Sequence, residues 1–367
     1  MRRQSTRRQG LFISLPLLLV ASTFFLQGCT TRGQAGQALS SAPAPTDAPS
    51  PLWQTATARV AAVRSPSSFL RSFESPSPKA DALSPTPAAS GSVASSVTPI
   101  PAASVGVPAV ATPSGSQLLD RTFVSAALGR EMHYFIYLPV GYAESGRRYP
   151  TLYMLHGYGG SNTEWIGYGL PEIADKMINA GAIPPMIIVL PQGDQAYWVN
   201  HADTGERWGD YTAQDVVRQI DSTYRTLPDA ARRAVGGLSM GSQGAMQLAM
   251  NYPGVFGAVG MHSPTLRDYP SMSAFVDFFG DEAYFNAHDP VHLAQQYPDR
   301  ARQLKIFLDV GEQDAEWHDS TAAFHDTLAQ LNIPHEWHTW PGIHDGAYWS
   351  EHSPDYLRFY AAALASA

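Results

Sequence analysis

The chain has 367 residues, with 24 Lys and Arg against 32 Asp and Glu and a formal net charge of −8. Arg2, Arg3, Arg7 and Arg8 all precede the first acid, so a chain lacking its first 28 residues carries 20 basic against 32 acidic groups. A balance of that sign disfavours nucleic acid and anionic membrane surfaces as partners.

The N-terminus reads as a targeting segment. A basic stretch from Met1 to Gly10 is followed by an apolar run, Leu11–Leu26, the order of a secretory signal. The run ends in Leu26-Gln27-Gly28-Cys29, which resembles the lipobox of bacterial lipoproteins. The resemblance implies cleavage before Cys29 and a lipid on Cys29, hence export and attachment to a membrane of the cell envelope. The alternative is an uncleaved single-pass anchor, for which a run broken by Ser14, Pro16, Ser22 and Thr23 is short. Thr6-Arg7-Arg8 hints at a twin-arginine signal, but Gly10 stands where an apolar residue is usual. Cys29 is the only cysteine, so no intrachain disulfide can form.

Residues 29–116 are rich in Ser, Ala, Pro and Thr and poor in aromatic and charged residues. Such a stretch buries too little apolar surface to offset the entropy of ordering it, and is expected to act as a disordered tether. Residues 117–367 hold nearly all the Trp, Tyr and His and suit one domain of about 250 residues.

Within that domain apolar or β-branched runs alternate with helix-like stretches. The predicted strands are Met132–Leu138, Thr151–Leu155, Met186–Leu190, Ala234–Gly236, Val255–Met261, Lys305–Val310 and His335–Thr339. The predicted helices are Leu170–Ala180, Tyr211–Tyr224, Met240–Asn251, Thr321–Leu331 and Tyr356–Ala365. This alternation implies an α/β domain whose mainly parallel sheet is covered by helices on both faces. Arg267–Arg302 is aromatic with few long apolar runs and is expected to be an insertion over the site.

The sharpest chemical signal is Gly237-Leu238-Ser239-Met240-Gly241, lying after a strand and before a helix. That is the context of a nucleophile elbow, in which flanking glycines relieve crowding around a strained serine and the helix N-terminus favours developing negative charge. Ser239 is the expected nucleophile. A serine needs a base, and in this arrangement an acid and then a histidine follow in chain order. Asp314, just past the Lys305–Val310 strand, is the candidate acid, with Glu312 and Glu316 as competitors. His344 follows the last strand behind Pro341-Gly342 and is the candidate base. The expected oxyanion donors are the backbone amides of Met240 and of Tyr158 in Leu155-His156-Gly157-Tyr158-Gly159-Gly160. The remaining histidines lack a convincing set of metal ligands, His288 with His292 being the nearest pair, so no metal is expected.

Taken together, the Leu155–Gly160, Gly237–Gly241, Gly311-x-x-Asp314 and Gly342-x-His344 segments resemble the esterase family related to esterase D. That family includes feruloyl esterases, S-formylglutathione hydrolases, enterobactin esterases and antigen 85-type mycolyltransferases. The likeness spans about residues 122–360 and includes Asn251-Tyr-Pro-Gly-Val-Phe256; Ser242 departs from it, standing where a second glycine is usual. The resemblance implies an α/β-hydrolase fold and carboxylic-ester hydrolysis through an acyl-enzyme, without a cofactor. The expected substrate is a small-molecule or polysaccharide-linked ester, feruloyl, acetyl or other. Two alternatives stay open: an acyltransferase using the same triad, and a binding protein that has lost the chemistry. Trp165, Tyr197, Trp198, Trp208, Trp317 and Trp349 are either aromatic contacts for such a substrate or simple lid packing.

Overall fold

The computed structural model describes residues 115–365. Cys29, the signal-like segment and nearly all of the expected tether lie outside the described residues. Eight strands form one sheet: β1 (Gln117–Ser125), β2 (Arg130–Leu138), β3 (Thr151–Leu155), β4 (Ile187–Pro191), β5 (Arg233–Leu238), β6 (Ala258–His262), β7 (Lys305–Gly311) and β8 (His335–Trp340). Their order is β1-β2-β4-β3-β5-β6-β7-β8. The pairs β1–β2 and β2–β4 are antiparallel, and every later pair is parallel. This is the mainly parallel sheet expected from the alternating pattern, in the α/β-hydrolase arrangement that the resemblance implies. β3 (TLYML) and β4 (IIVLP) are buried at every position because helices cover both faces.

The helices that matter to the site are α1 (Leu170–Asn179), α2 (Val217–Thr223), α3 (Met240–Asn251), α4 (Tyr269–Phe275), α5 (Glu282–Asn286), α6 (Pro290–Gln296), α7 (His318–Gln330) and α8 (Gly346–Ala365). One face of the sheet joins α3 residues such as Met246 and Leu248 to Tyr153, Val189, Val235 and Met261. The other joins α8 residues Tyr356, Leu357, Tyr360 and Leu364 to Leu152, Ile188, Ala234 and Phe307. The segment between β6 and β7 forms the short helices α4, α5 and α6. Asp268, Asp281 and Asp289 cap them, each accepting from a backbone amide of the first turn.

α8 sits close enough to touch the backbone of β5 and β6. A Cβ on Gly236 would lie 1.7 Å from the Tyr360 hydroxyl, and one on Gly260 1.9 Å from it. These glycines are register partners on β5 and β6, so together they open a slot for the tyrosine. The hydroxyl reaches Nε2 of His262 at 2.9 Å. His262 Nδ1 meets Asp309 Oδ1 at 2.7 Å, and Asp309 Oδ2 accepts from Tyr348 and Tyr356 at 2.9 Å each. The imidazole and the carboxylate are fully buried, and this fully partnered network clamps α8 to the sheet at the end that carries the site.

Candidate active site

Ser239 occupies the single residue between β5 and α3, with φ 55 and ψ −121. Few L-residues adopt such a backbone, and it persists only where the surroundings over-determine it. Here they do. A Cβ on Gly237 would lie 2.5 Å from the Gly241 carbonyl carbon, and one on Gly241 would lie 2.5 Å from the Leu155 carbonyl oxygen. The Ser239 amide donates to the His262 carbonyl at 3.0 Å. The Ser239 carbonyl accepts from the Ser242 amide at 3.1 Å and from the Ser242 hydroxyl at 2.7 Å. Ser242, standing where the resemblance has a second glycine, thus braces the elbow with its side chain.

His344 lies in the loop between β8 and α8. Its Nε2 is 3.0 Å from Ser239 Oγ, and its Nδ1 is 2.8 Å from Asp314 Oδ2. An ionised Asp314 only accepts, which places the proton on Nδ1 and leaves Nε2 free to accept from the serine hydroxyl. Asp314 is buried, and its other oxygen accepts from the Trp317 amide at 3.2 Å. The loops carrying the two residues are laced together: Glu312 N donates to Trp340 O, Gln313 N to Gly342 O, and Gly342 N to Gln313 Oε1. The competing acids point elsewhere. Glu312 and Glu316 are exposed, the latter against Arg267. Edge-on contact with Trp349, at 5.0 Å between ring centroids, fixes the plane of the His344 ring.

The two expected oxyanion donors flank the serine. Met240 is the first residue of α3, where an amide has no intrahelical acceptor. Tyr158 follows Gly157, on which a Cβ would lie 3.4 Å from Ser239 Cβ. Among the described residues nothing accepts from the Tyr158 amide. This loop is held from both sides. Gly193 N donates to His156 Nε2 at 2.9 Å, so the proton sits on Nδ1, which donates to the Gly157 carbonyl at 2.9 Å. Burial pushes the His156 pKa down to about 4, keeping the ring neutral. On the other side, Gly157 N donates to Glu164 Oε2 at 2.7 Å and Tyr168 donates to Glu164 Oε1 at 3.3 Å. Burial raises the Glu164 pKa, opposed by those hydrogen bonds and by nearby His344. Glu164 was missed in the sequence because a lone acid in a polar loop reads as solvated. Its spacing from the Gly157–Gly160 turn is the one signal that could have exposed it.

Of the two roles open to the aromatic residues, burial favours packing. Trp165, Trp198, Trp208, Trp317, Trp349 and Tyr197 are all buried, so most of them pack the walls of the site and do not face a substrate. The exposed rings nearest the Gly157–Gly160 loop are Tyr158 and Phe275, with centroids 4.9 Å apart. His288 and His292 engage Tyr284 O and Asp289 separately. No group of three or more His, Cys, Asp or Glu among the described residues is arranged to hold a metal ion.

Residues 125–360 match the protein family described as "Putative esterase". The chain belongs to that family. The chain is 32% identical over 256 residues to two Mycobacterium tuberculosis proteins named as esterases, from strains CDC 1551 and H37Rv; the match covers 60% of this chain and 54% of theirs. The chain therefore spans about half the length of these curated relatives. A 150-residue stretch is 32% identical to an endo-1,4-beta-xylanase/feruloyl esterase of Xylanibacter ruminicola, covering 39% of this chain and 21% of that protein. Among solved structures, a ferulic acid esterase superposes with TM-score 0.61 at 23% identity, covering 68% of this chain and 98% of its own. An S-formylglutathione hydrolase from Agrobacterium tumefaciens gives 0.59 at 18% identity, with 71% and 99% covered. At these identities the two structures support the fold.

Proposed function

We propose that the protein is a serine carboxylic-ester hydrolase that works through an acyl-enzyme. The observation that carries this reading is the unbroken chain Ser239 Oγ, His344 Nε2, His344 Nδ1, Asp314 Oδ2, with separations of 3.0 and 2.8 Å, at a strained serine. In the proposed reaction Ser239 Oγ attacks the ester carbonyl as its proton passes to His344 Nε2. The amides of Met240 and Tyr158 take the negative charge on the tetrahedral oxygen, while Asp314 stabilises the imidazolium. His344 then protonates the departing alcohol. Water, deprotonated by the same nitrogen, attacks the acyl-enzyme and releases the acid.

Membership of the esterase family and the relatives named as esterases support ester cleavage. The feruloyl esterase among them makes a feruloyl ester the first class to try. Export and lipid attachment at Cys29 remain part of the proposal and rest on the Leu26–Cys29 motif; the check is loss of membrane association in Cys29→Ala. Hydrolysis of a 4-nitrophenyl series from acetate to decanoate, plus ferulate, by wild type and Ser239→Ala tests the reaction. Turnover lost in the variant supports it. No turnover on any ester, together with no labelling by a fluorophosphonate, overturns it. Product analysis with and without a polyol acceptor separates hydrolysis from acyl transfer.

A further inference from the structure

The first residues beyond β6 carry a cation into the neighbourhood of the triad. The guanidinium carbon of Arg267 lies 4.5 Å from the Trp317 ring centroid and 4.9 Å from that of Phe275. Trp317 is 6.3 Å from the His344 ring, and Phe275 is 4.9 Å from Tyr158, whose amide is a proposed oxyanion donor. Arg267 is thus two ring contacts away from each half of the chemistry, between α4 and the loop before α7.

The guanidinium has hydrogen-bonding capacity to spare. Its Nε is buried and has no acceptor among the described residues. Its carboxylate partner Glu316 is long at 3.4 Å and 67% exposed, so water competes strongly for it. Tyr197 completes the cluster: burial pushes its phenol up to about 12, with the Arg267 guanidinium beside it pulling the other way. Tyr197 and Trp198 are consecutive non-glycine residues with φ 53 and 61. The strained pair is locked in place, since the Trp198 ring fills the space where Cβ atoms on Gly193 and Gly244 would be, at 2.2 and 2.5 Å. Gln247 Nε2 also donates to the Trp198 carbonyl at 2.6 Å. Strain held by this much packing places the Tyr197 hydroxyl where the arginine is, and in an acidic protein a cation kept at the site selects against the general field.

We propose that Arg267 and Tyr197 form a subsite for a carboxylate carried by the ester substrate, so that anionic esters are favoured over neutral esters of the same shape. The inference rests on the ester-hydrolase reading and adds its substrate class. Arginine stacked between rings keeps its in-plane donors able to exchange a long, exposed Glu316 contact for a planar substrate carboxylate, and a phenol adds another donor.

The test uses two matched pairs of probes. On the acyl side they are 4-nitrophenyl glutarate monoester and 4-nitrophenyl valerate. On the alcohol side they are 4-acetoxybenzoate and its methyl ester. Wild type is expected to show kcat/KM at least tenfold higher for the anionic member of one pair, and which pair does so assigns the side of the ester. Arg267→Gln is expected to lower kcat/KM for that anionic member by about ten- to a hundredfold more than for its neutral mate, mostly through KM. Arg267→Lys should fall between. Added salt should erode the wild-type preference, a reading that needs no variant to fold. A wild type that is indifferent or prefers the neutral member in both pairs overturns the subsite, as does an Arg267→Gln variant that slows both members equally. If the four esters are inert and Ser239 takes no fluorophosphonate, the ester-hydrolase reading itself has failed, which is a distinguishable result.

Discussion

Acidification should loosen the loop that carries the proposed oxyanion donor Tyr158 through one buried imidazole. His156 accepts from Gly193 N at Nε2 and donates from Nδ1 to the Gly157 carbonyl, so both nitrogens are committed with the ring neutral. Protonating Nε2 would set two donors against each other in a site only 1% exposed. Burial therefore holds the folded pKa near 4, against 6.5 for the free side chain. Between those values the unfolded chain binds a proton that the folded chain refuses. The stabilisation is present in full above pH 6.5, is lost as pH falls toward 4, and changes no further below that. At 1.36 kcal/mol per unit the loss is about 3 kcal/mol, a large part of a typical domain's stability. The assay is urea unfolding of wild type and His156→Gln at intervals from pH 7.5 to 3.5. Subtracting the two curves cancels the other titrating groups. Wild type should exceed the variant at pH 7.5, and the gap should shrink by about 3 kcal/mol by pH 4. A gap that stays constant across this range would refute the neutral, buried imidazole and the account of the loop built on it.

Other outcomes follow from individual contacts. Asp314→Asn should lower kcat by roughly 10³–10⁴ with little change in folding, measured on a 4-nitrophenyl ester, because the tautomer of His344 is no longer enforced. Glu164→Gln keeps an acceptor for the Gly157 amide but removes the charge; kcat should drop about tenfold with KM nearly unchanged. Tyr360→Phe leaves His262 Nε2 without its buried partner and should cost about 1–3 kcal/mol in urea unfolding. Gly236→Ala sets a Cβ 1.7 Å from the same hydroxyl, and should cost more than Tyr360→Phe, with the double variant less destabilised than the sum.

The parts of this molecule that declare themselves in the sequence are those where chemistry and backbone make the same demand. Gly237 and Gly241 are glycines because a Cβ on either would lie 2.5 Å from a neighbouring carbonyl group, and that close packing is also what exposes Ser239. His344 and Asp314 each stand just past a strand in the order the chemistry requires, and the structure brings both within hydrogen-bonding distance of their expected partners. Elements at the edge or held by tertiary contacts were less legible. β1 reads QLLDRTFVS, mixed in polarity because it is the outermost strand with partly exposed faces, and was not expected. α8 begins at Gly346, ten residues before its expected start, although Pro354 lies inside it. The Tyr348, Tyr356 and Tyr360 hydroxyls on the buried His262–Asp309 pair hold that helix where local propensity would break it. The tryptophans were ambiguous for a related reason: isolated in sequence, binding and packing residues look alike, and only the structure shows most of their large apolar surface buried.

The central claim is that Ser239 carries the acyl group. Rapid quenching of the enzyme with 4-nitrophenyl acetate, followed by proteolysis and peptide mass spectrometry, tests it directly. One acetyl group is expected on the peptide containing Ser239, formed at the rate of the nitrophenolate burst and absent in Ser239→Ala and His344→Ala. Undiminished turnover by Ser239→Ala, or an acetyl group found on another residue, would contradict it.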